Sequence, residues 1–366
     1  MAAKKYNKQE ELDIANSVLG TISDDKLKDA KLFFDRFSEF KKLSKLYNTY
    51  IVGVEQSLEN TKNGRIYANY NIDGTVTGRL SNSGANIRKG GGKASKIGVS
   101  FHTLPREKKD LAVNIRDFIV APTGWDFITV DMKAMELRVL AHVANERNMI
   151  KAFESGVDLH TYSAALTFKK DPEDITPEER QIAKEVSFLT VYGGTAYTLA
   201  AKRNISEAAA EEIINSWMEA FPGVPIYMNT VKEYVEQFAY AKTIFGRYRN
   251  LPNINSPFKK IRGEAYRQGL NFTIQSPAND ILLCGLLSIV KTFKDRGFRG
   301  KVVGTVHDSI EIVCPKEETR EAVQIMSDEL RNYTYMRKNF NIELKAPLEV
   351  DIEVGSSFGN GVRFEL

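Results

Sequence analysis

Cysteine is almost missing from this chain. Of 366 residues only Cys284, in ILLCGLL, and Cys314, in EIVCP, carry a thiol. Two thiols far apart in apolar runs make neither a disulfide framework nor a metal-ligand pair, so a reducing compartment is expected. Uninterrupted apolar runs of the roughly 18 to 20 residues needed to cross a bilayer are also lacking. The opening residues, MAAKKYNKQEELD, are polar where a signal peptide is apolar. Export, membrane insertion and a membrane partner are therefore not expected, and the cytoplasm is. Proline is sparse at 11 residues while 42% of the chain is hydrophobic, so it can bury a core instead of persisting as a disordered tail. Length alone predicts two or three domains, or one large lobed one.

The net charge, +4, is too small to name a partner, but its distribution is uneven. Between residues 61 and 110, ten lysines and arginines face only Asp73, Glu107 and Asp110. Basic residues among glycines and serines suit close contact with a phosphate backbone, whose binding is driven by counterion release. A solvated loop surface would have the same composition.

Residues 7–20 and 24–58 read as helices, the second with Ala30, Phe33, Phe37, Phe40 and Leu43 at spacings of three and four. After Gly64 come short strand-like runs, then SNSGANIRKGGGKASKIG, which is expected to be an unpacked loop. The run Phe127-Ile128-Thr129-Val130 reads as a strand ending at Asp131, where a helical pattern takes over. Helices are expected to dominate from about 140 to 240 and again over roughly 258–295. The segment KVVGTVHDSIEIVC reads as a hairpin whose tip presents His307 and Asp308. The class is α+β, a small antiparallel sheet with a helical lobe inserted between its strands.

Thr176-Pro177-Glu178-Glu179 has the form of a capping box with proline at the first helical position, and the helix should stop at Gly193. Inside it Arg180, Lys184, Phe188 and Tyr192 recur every fourth residue. Each step of four overshoots a full turn by about 40°, so the four lie on one slowly winding stripe, cationic at one end and aromatic at the other. That suits a nucleoside triphosphate; a surface Arg and Lys beside two core aromatics would read the same. Arg267, Asn271 and Gln275 form a second ladder of spacing four, fit for a duplex groove or for a helix-helix polar contact. Asp131 and Asp308 each sit at the end of a strand, so neighbouring strands could bring two carboxylates to one point, as two Mg²⁺ ions require. An aspartate closing a strand is also a common turn residue.

These pieces occur in one order: TVTGRLS (75–81), VDMKAMELRVLAH (130–142), RQIAKEVSFLTVYGG (180–194), RQGLNFTIQSPAND (267–280) and VGTVHDSIEIV (303–313). With GVDLH (156–160), FPGVPIYM (221–228) and FGRYRNLPNINS (245–256), they resemble the polymerase region of family A DNA polymerases, the bacterial DNA polymerase I group and its phage relatives. The resemblance runs from about Gly64 to the C-terminus. It implies a right-hand polymerase fold with an antiparallel-sheet palm, helical fingers and a reduced helical thumb. The corresponding division is a helical N-terminal segment, part of a thumb, over 1–62; palm with the basic glycine-rich loop over 63–145; fingers over 146–260; and palm again over 261–366.

By the same resemblance Asp131 and Asp308 match the metal-binding aspartates for two Mg²⁺ ions. Arg180, Lys184 and His160 match groups that hold the incoming triphosphate, with Lys184 also protonating the leaving pyrophosphate. Phe188 matches the nucleotide-stacking position, Tyr192 the occupant of the template-base site before closure, and Glu136 the steric gate beside the sugar 2′ position. Arg79, Asn271 and Gln275, with Arg267 alongside, match minor-groove contacts, and His307 lies by the primer terminus. The implied activity is template-directed DNA synthesis from dNTPs on primer-template DNA, without a proofreading domain of its own. Exonuclease, the rest of the thumb or processivity would then come from a separate chain, as in a phage or split enzyme. A single-subunit RNA polymerase and a non-catalytic primer-template-binding subunit are the alternatives. The departures are Ser309 where the family usually has Glu, and Met132-Lys133-Ala134 after the first aspartate, which sets a cation beside the site.

Overall fold

The computed structural model describes residues 24–61, 63–87, 95–105 and 114–366. The helix expected over 7–20 lies outside the described residues, as do Lys62, Arg88, Lys89, Lys93, Arg106, Lys108 and Lys109 of the basic stretch. The described residues form two compact units, one within Met1–Asn69 and Ser83–Ser100, the other within Tyr70–Asn82 and Phe101–Leu366.

In the first unit α1 (Asp24–Lys45), a π-helical turn (Leu46–Ile51) and α2 (Val52–Thr61) follow without a break. The helix expected over 24–58 is present, with a π turn that its three-and-four spacing does not reveal. Its aromatic stripe is exposed at Phe33, Phe37 and Phe40, while Tyr50 is buried. Gly53 and Gly98 meet closely: a side chain at Gly53 would come within 2.8 Å of Val99 Cγ1. β1 (Ala68–Asn71) and β2 (Ser81–Ile87) span the boundaries of the two units, and β3 (Ser95–Ile97) pairs antiparallel with β2, Ala85 opposite Ile97. The loop expected over this segment is thus corrected to paired strands at its two ends. Ladder hydrogen bonds come from the backbone, so a run of Gly, Ser and Lys does not forbid them.

In the second unit β4 (Trp125–Met132) leads into α3 (Met135–Val143), and a helical lobe follows: α4 (Arg147–Glu154), α5 (Leu159–Phe168), α6 (Pro177–Val191), α7 (Ala196–Arg203), α8 (Glu207–Ala220) and α9 (Gly223–Phe238). A small hairpin, β5 (Tyr240–Lys242) and β6 (Tyr248–Asn250), precedes the long helix α10 (Lys259–Arg296). Then come β7 (Lys301–Val306), β8 (Ser309–Pro315), α11 (Thr319–Asn332), α12 (Thr334–Phe340), β9 (Val350–Gly355) and β10 (Val362–Arg363). Five strands make one antiparallel sheet in the order β10-β9-β4-β8-β7.

Period-two alternation sorts this sheet into two faces. Ile128, Val130, Ile310 and Ile312 are fully buried in the core that also takes in Val323 and Met326 of α11, each contributing roughly 2 kcal/mol by burial. Directly opposed residues of paired strands share a face, so Asp131, Ser309 and Asp351 stand together on the other side. A one-residue slip would drive those acids into the core, so the apolar face enforces the register that aligns them. α10 is long and apolar enough to cross a membrane, but 72% of its most apolar window is buried inside the fold. In the lobe, Trp217 is fully buried and its indole N–H donates to Ser163 Oγ at 2.8 Å.

Candidate active site

Asp131 comes at the end of β4, opposite Ser309 on β8 and Asp351 on β9. Asp308 precedes Ser309 in the two-residue connection between β7 and β8, and its carbonyl accepts from the Met132 backbone N–H at 3.0 Å. The two aspartates therefore stand beside each other at the end of a strand pair. His307, at the same tip, has φ +59°, and its ring lies 5.7 Å from that of His102. Lys133 does not stand there as a loose cation: its Nζ is 2.9 Å from Asp351 Oδ1.

Glu136 is the hub of this region. Between β4 and α3 the chain turns through Ala134 in the left-handed region, φ +48°, a conformation that costs a non-glycine residue about 1 to 2 kcal/mol. Glu136, in the first turn of α3 and 6% exposed, accepts from Arg79 Nη2 at 2.7 Å, the Tyr192 hydroxyl at 2.9 Å and Gln275 Nε2 at 3.5 Å. Arg79 also lies 3.6 Å from Asp308 Oδ1. Burial and then the Glu136 charge push the Tyr192 phenol up to about 12, so it is a neutral donor.

A second cluster forms along α6. The capping box is present, Thr176 and Glu179 each bonding the other's backbone N–H. Arg180 makes two hydrogen bonds to Asp158, Nε to Oδ2 at 2.8 Å and Nη2 to Oδ1 at 3.0 Å. Burial raises the Asp158 carboxyl, but the bonds from Arg180 and Thr161 outweigh it and hold the group well below the usual carboxylate range. His160 is pushed down to about 4 by burial; the Asp158 charge opposes this, while Lys184 and Arg180 add to it. The imidazole is thus neutral, 6.2 Å from the Phe188 ring, and its Nδ1 is buried without a partner among the described residues. Lys184 makes no ion pair among the described residues. The helix ends at Val191 with Tyr192 as C-cap and Gly193 at φ +64°. A Cβ at Gly193 would sit 2.5 Å from Arg267 Cγ, which ties the end of α6 to α10.

On α10, Arg267, Asn271 and Gln275 are half-buried while Leu270, Phe272 and Ile274 are buried. Asn271 Nδ2 is buried with no partner among the described residues. One turn further on, Asn279 donates to the Gly78 carbonyl at 2.9 Å, and Arg247, paired with Asp280 at 2.8 Å, packs over Gly78. These contacts hold the segment that carries Arg79.

The structure thus gathers Asp131, Asp308, Glu136, Arg79, Tyr192 and Gln275 in one place, and Arg180, Lys184 and Phe188 of α6 with His160 of α5 in another. Sequence reasoning missed Asp158, Arg247, Asp351 and Glu311. Asp158 left a signal, since it heads a helix within GVDLH and caps it by accepting from the Thr161 N–H. Arg247, Asp351 and Glu311 left none, because their significance comes from partners distant in the chain.

A strand-end pair of acids stands beside a helix with a cationic and an aromatic end, and a solved structure shares the fold that carries them. The POL domain of Pol1 from M. smegmatis, in complex with DNA primer-template and dNTP, matches with a TM-score of 0.73 at 28% identity, over 84% of this chain and 50% of that one. The fold is a right-hand polymerase fold of the α+β class, with an antiparallel-sheet palm, helical fingers and a helical thumb. DNA polymerase family A matches the chain over residues 1–360, and the chain belongs to that family. It is similar to DNA polymerase I of Chloroflexus aurantiacus, 30% identical over 87% of this chain and 31% of that protein. DNA polymerase I of Caldicellulosiruptor bescii is 32% identical over 87% of this chain and 34% of its own length. The thermostable DNA polymerase I of Thermus thermophilus is 30% identical over 91% and 37%. The chain spans about a third of the length of these curated relatives.

Proposed function

We propose that this chain is a DNA-directed DNA polymerase that adds dNTPs to the 3′-hydroxyl of a primer, acting in the cytoplasm on primer-template DNA. The observation that carries this reading is the meeting of Asp131 and Asp308 at the end of one strand pair, with Glu136 and its donors beside them. Mg²⁺ fits that donor set. Two carboxylates offer hard oxygens without enclosing the ion, and among the described residues no group of three or more acids, histidines or cysteines is arranged to hold a metal. Mg²⁺ keeps waters and takes substrate phosphates as its remaining ligands, so a pair of acids suffices. When bound, two such ions supply Lewis-acid activation of the primer hydroxyl and neutralise the pyrophosphate.

The chain's own groups do the rest. Lys184 and Arg180 bind the triphosphate, Arg180 exchanging Asp158 for phosphate oxygens, and Lys184 delivers a proton to the leaving pyrophosphate. Neutral His160 offers a hydrogen bond to the same group, and Phe188 stacks on the nucleotide. Glu136, its oxygens already engaged by Arg79, Tyr192 and Gln275, crowds a 2′-hydroxyl, which selects deoxyribonucleotides. Tyr192, resting on Glu136, leaves the template-base position when α6 closes on a correctly shaped pair, so selection is a form of induced fit. Arg79, Arg267, Asn271 and Gln275 meet minor-groove acceptors common to every base pair, and His307 borders the primer end. Asn271 Nδ2 and His160 Nδ1, buried without a partner among the described residues, support this, since buried polar atoms are normally satisfied.

A primer-extension assay with Mg²⁺, comparing dNTPs with rNTPs on DNA and RNA templates, tests the reading. Extension with dNTPs on DNA is expected; equal use of rNTPs would make it an RNA polymerase, and DNA binding without extension a non-catalytic subunit.

A further inference from the structure

Glu311 is buried to 2% exposure, yet it points to the acid-bearing face of the sheet, opposite Thr129 on β4 and Gly304 on β7. Ser309, two residues earlier on the same face, is also buried, at 4%. The Ser309 hydroxyl lies 2.8 Å from the Val306 carbonyl oxygen and 2.5 Å from Glu311 Oε1. A hydroxyl has one proton and a carbonyl can only accept. Both contacts are full hydrogen bonds when Ser309 donates to Val306 and a protonated Glu311 donates to Ser309; with an ionised Glu311 the single hydroxyl proton would be shared between two acceptors. Burial acts in the same direction, pushing the Glu311 carboxyl up to about 7. Glu311 Oε2 is buried without a partner among the described residues. The nearby Tyr70 hydroxyl is committed to the Thr305 carbonyl at 3.0 Å. The charged and titratable groups that act on Glu311 are Arg116, which lowers it, Asp131, which raises it, and Tyr70, itself pushed up to about 12 by burial.

Val306 and Ser309 close the two-residue tip that presents His307 and Asp308. That tip needs support, because His307 is a non-glycine residue at φ +59°. We propose that Glu311 and Ser309 are positioning residues, a hydrogen-bonded brace from the sheet interior to the Val306 carbonyl that sets where the Asp308 carboxylate stands. The proposal rests on the reading of Asp308 as a metal-binding acid. A carboxyl buried beneath the sheet face then does at a distance what an acid beside Asp308 would do directly.

The test compares the full chain with Ser309→Ala and Glu311→Leu, which break the brace, with Ser309→Thr and Glu311→Gln, which keep its donors, and with the Ser309→Ala/Glu311→Leu double variant. Single-turnover extension, primer-template affinity and Mn²⁺ binding by electron paramagnetic resonance are measured on each. The breaking variants should lose roughly tenfold or more in rate and in Mn²⁺ affinity, as removal of groups that orient metal ligands does, with DNA affinity unchanged. The double variant should be no worse than either single, since both interrupt one path. Ser309→Thr and Glu311→Gln should stay within about threefold of the parent. In infrared difference spectra near neutral pH the parent should show a protonated-carboxyl band that Glu311→Gln lacks. Unchanged Mn²⁺ affinity in Ser309→Ala, additive losses, or no such band overturns the brace. If Glu311→Leu fails to fold, Ser309→Ala against Ser309→Thr decides alone. If the parent chain itself does not extend primers, the polymerase reading fails, while Mn²⁺ binding and the infrared band still decide the brace.

Discussion

Replacing Glu311 by glutamine should change how stability depends on pH. The carboxyl is raised from the ordinary 4.5 to about 7, first by burial, against an opposing contribution from the Arg116 charge. The folded protein therefore keeps a proton that the unfolded chain releases. The stabilisation tied to that proton is complete below about pH 4.5 and is lost as the pH rises through about 7. A difference of this size corresponds to about 3 kcal/mol across the window. At 2% exposure Glu311 is little screened by solvent. For a unit of this size that is roughly 5 °C in Tm. Glutamine has nearly the same shape, can donate to Ser309 and does not titrate. Thermal melts of both proteins from about pH 4.5 to about pH 8.5 should show the Tm of Glu311→Gln rising relative to the parent by roughly that amount as pH increases. Parallel curves would mean that Glu311 is charged in the folded state or reached by water, and the proton count at Ser309 would be wrong.

Asp131→Asn and Asp308→Asn should each lower Mg²⁺-dependent extension by roughly two to three orders of magnitude, as loss of a principal electrostatic stabiliser does, with primer-template affinity retained; normal turnover would remove that carboxylate from the mechanism. Glu136→Ala strands Arg79, Tyr192 and Gln275 without their shared acceptor and should raise rNTP use relative to dNTP at least about tenfold in competition assays; an unchanged ratio would place the sugar elsewhere. Phe188→Tyr should improve acceptance of 2′,3′-dideoxynucleotides, because a phenol can stand in for the missing 3′-hydroxyl, and unchanged discrimination would argue against Phe188 facing the sugar. Gly193→Ala meets both a φ of +64° and Arg267 Cγ at 2.5 Å, so chemical denaturation should show a loss of roughly 1 to 3 kcal/mol.

Local signals in this chain carried far. The capping box at Thr176 and Glu179, the Arg180 to Tyr192 stripe, the stop at Gly193, the strand ending beside Asp131 and the hairpin tip at His307 and Asp308 all depend on neighbours within a few residues. Periodicity and turn chemistry report such neighbours directly. The strands on either side of the glycine-rich run were not legible, because backbone pairing needs no side-chain pattern.

Only the tertiary structure decided what those residues face. Arg79 and Gln275 reach Glu136, and Arg247 pairs with Asp280, across intervals of 57, 139 and 33 residues. Nothing in the spacing of a charged residue names a partner that far along the chain. Glu311 makes the point most sharply. By composition it is a glutamate in a strand, expected to be ionised and wet, and the packing around Tyr70, Gly304 and Ser309 makes it a buried acid. Its charge state depends on desolvation, a property of the surrounding volume that no one-dimensional pattern contains.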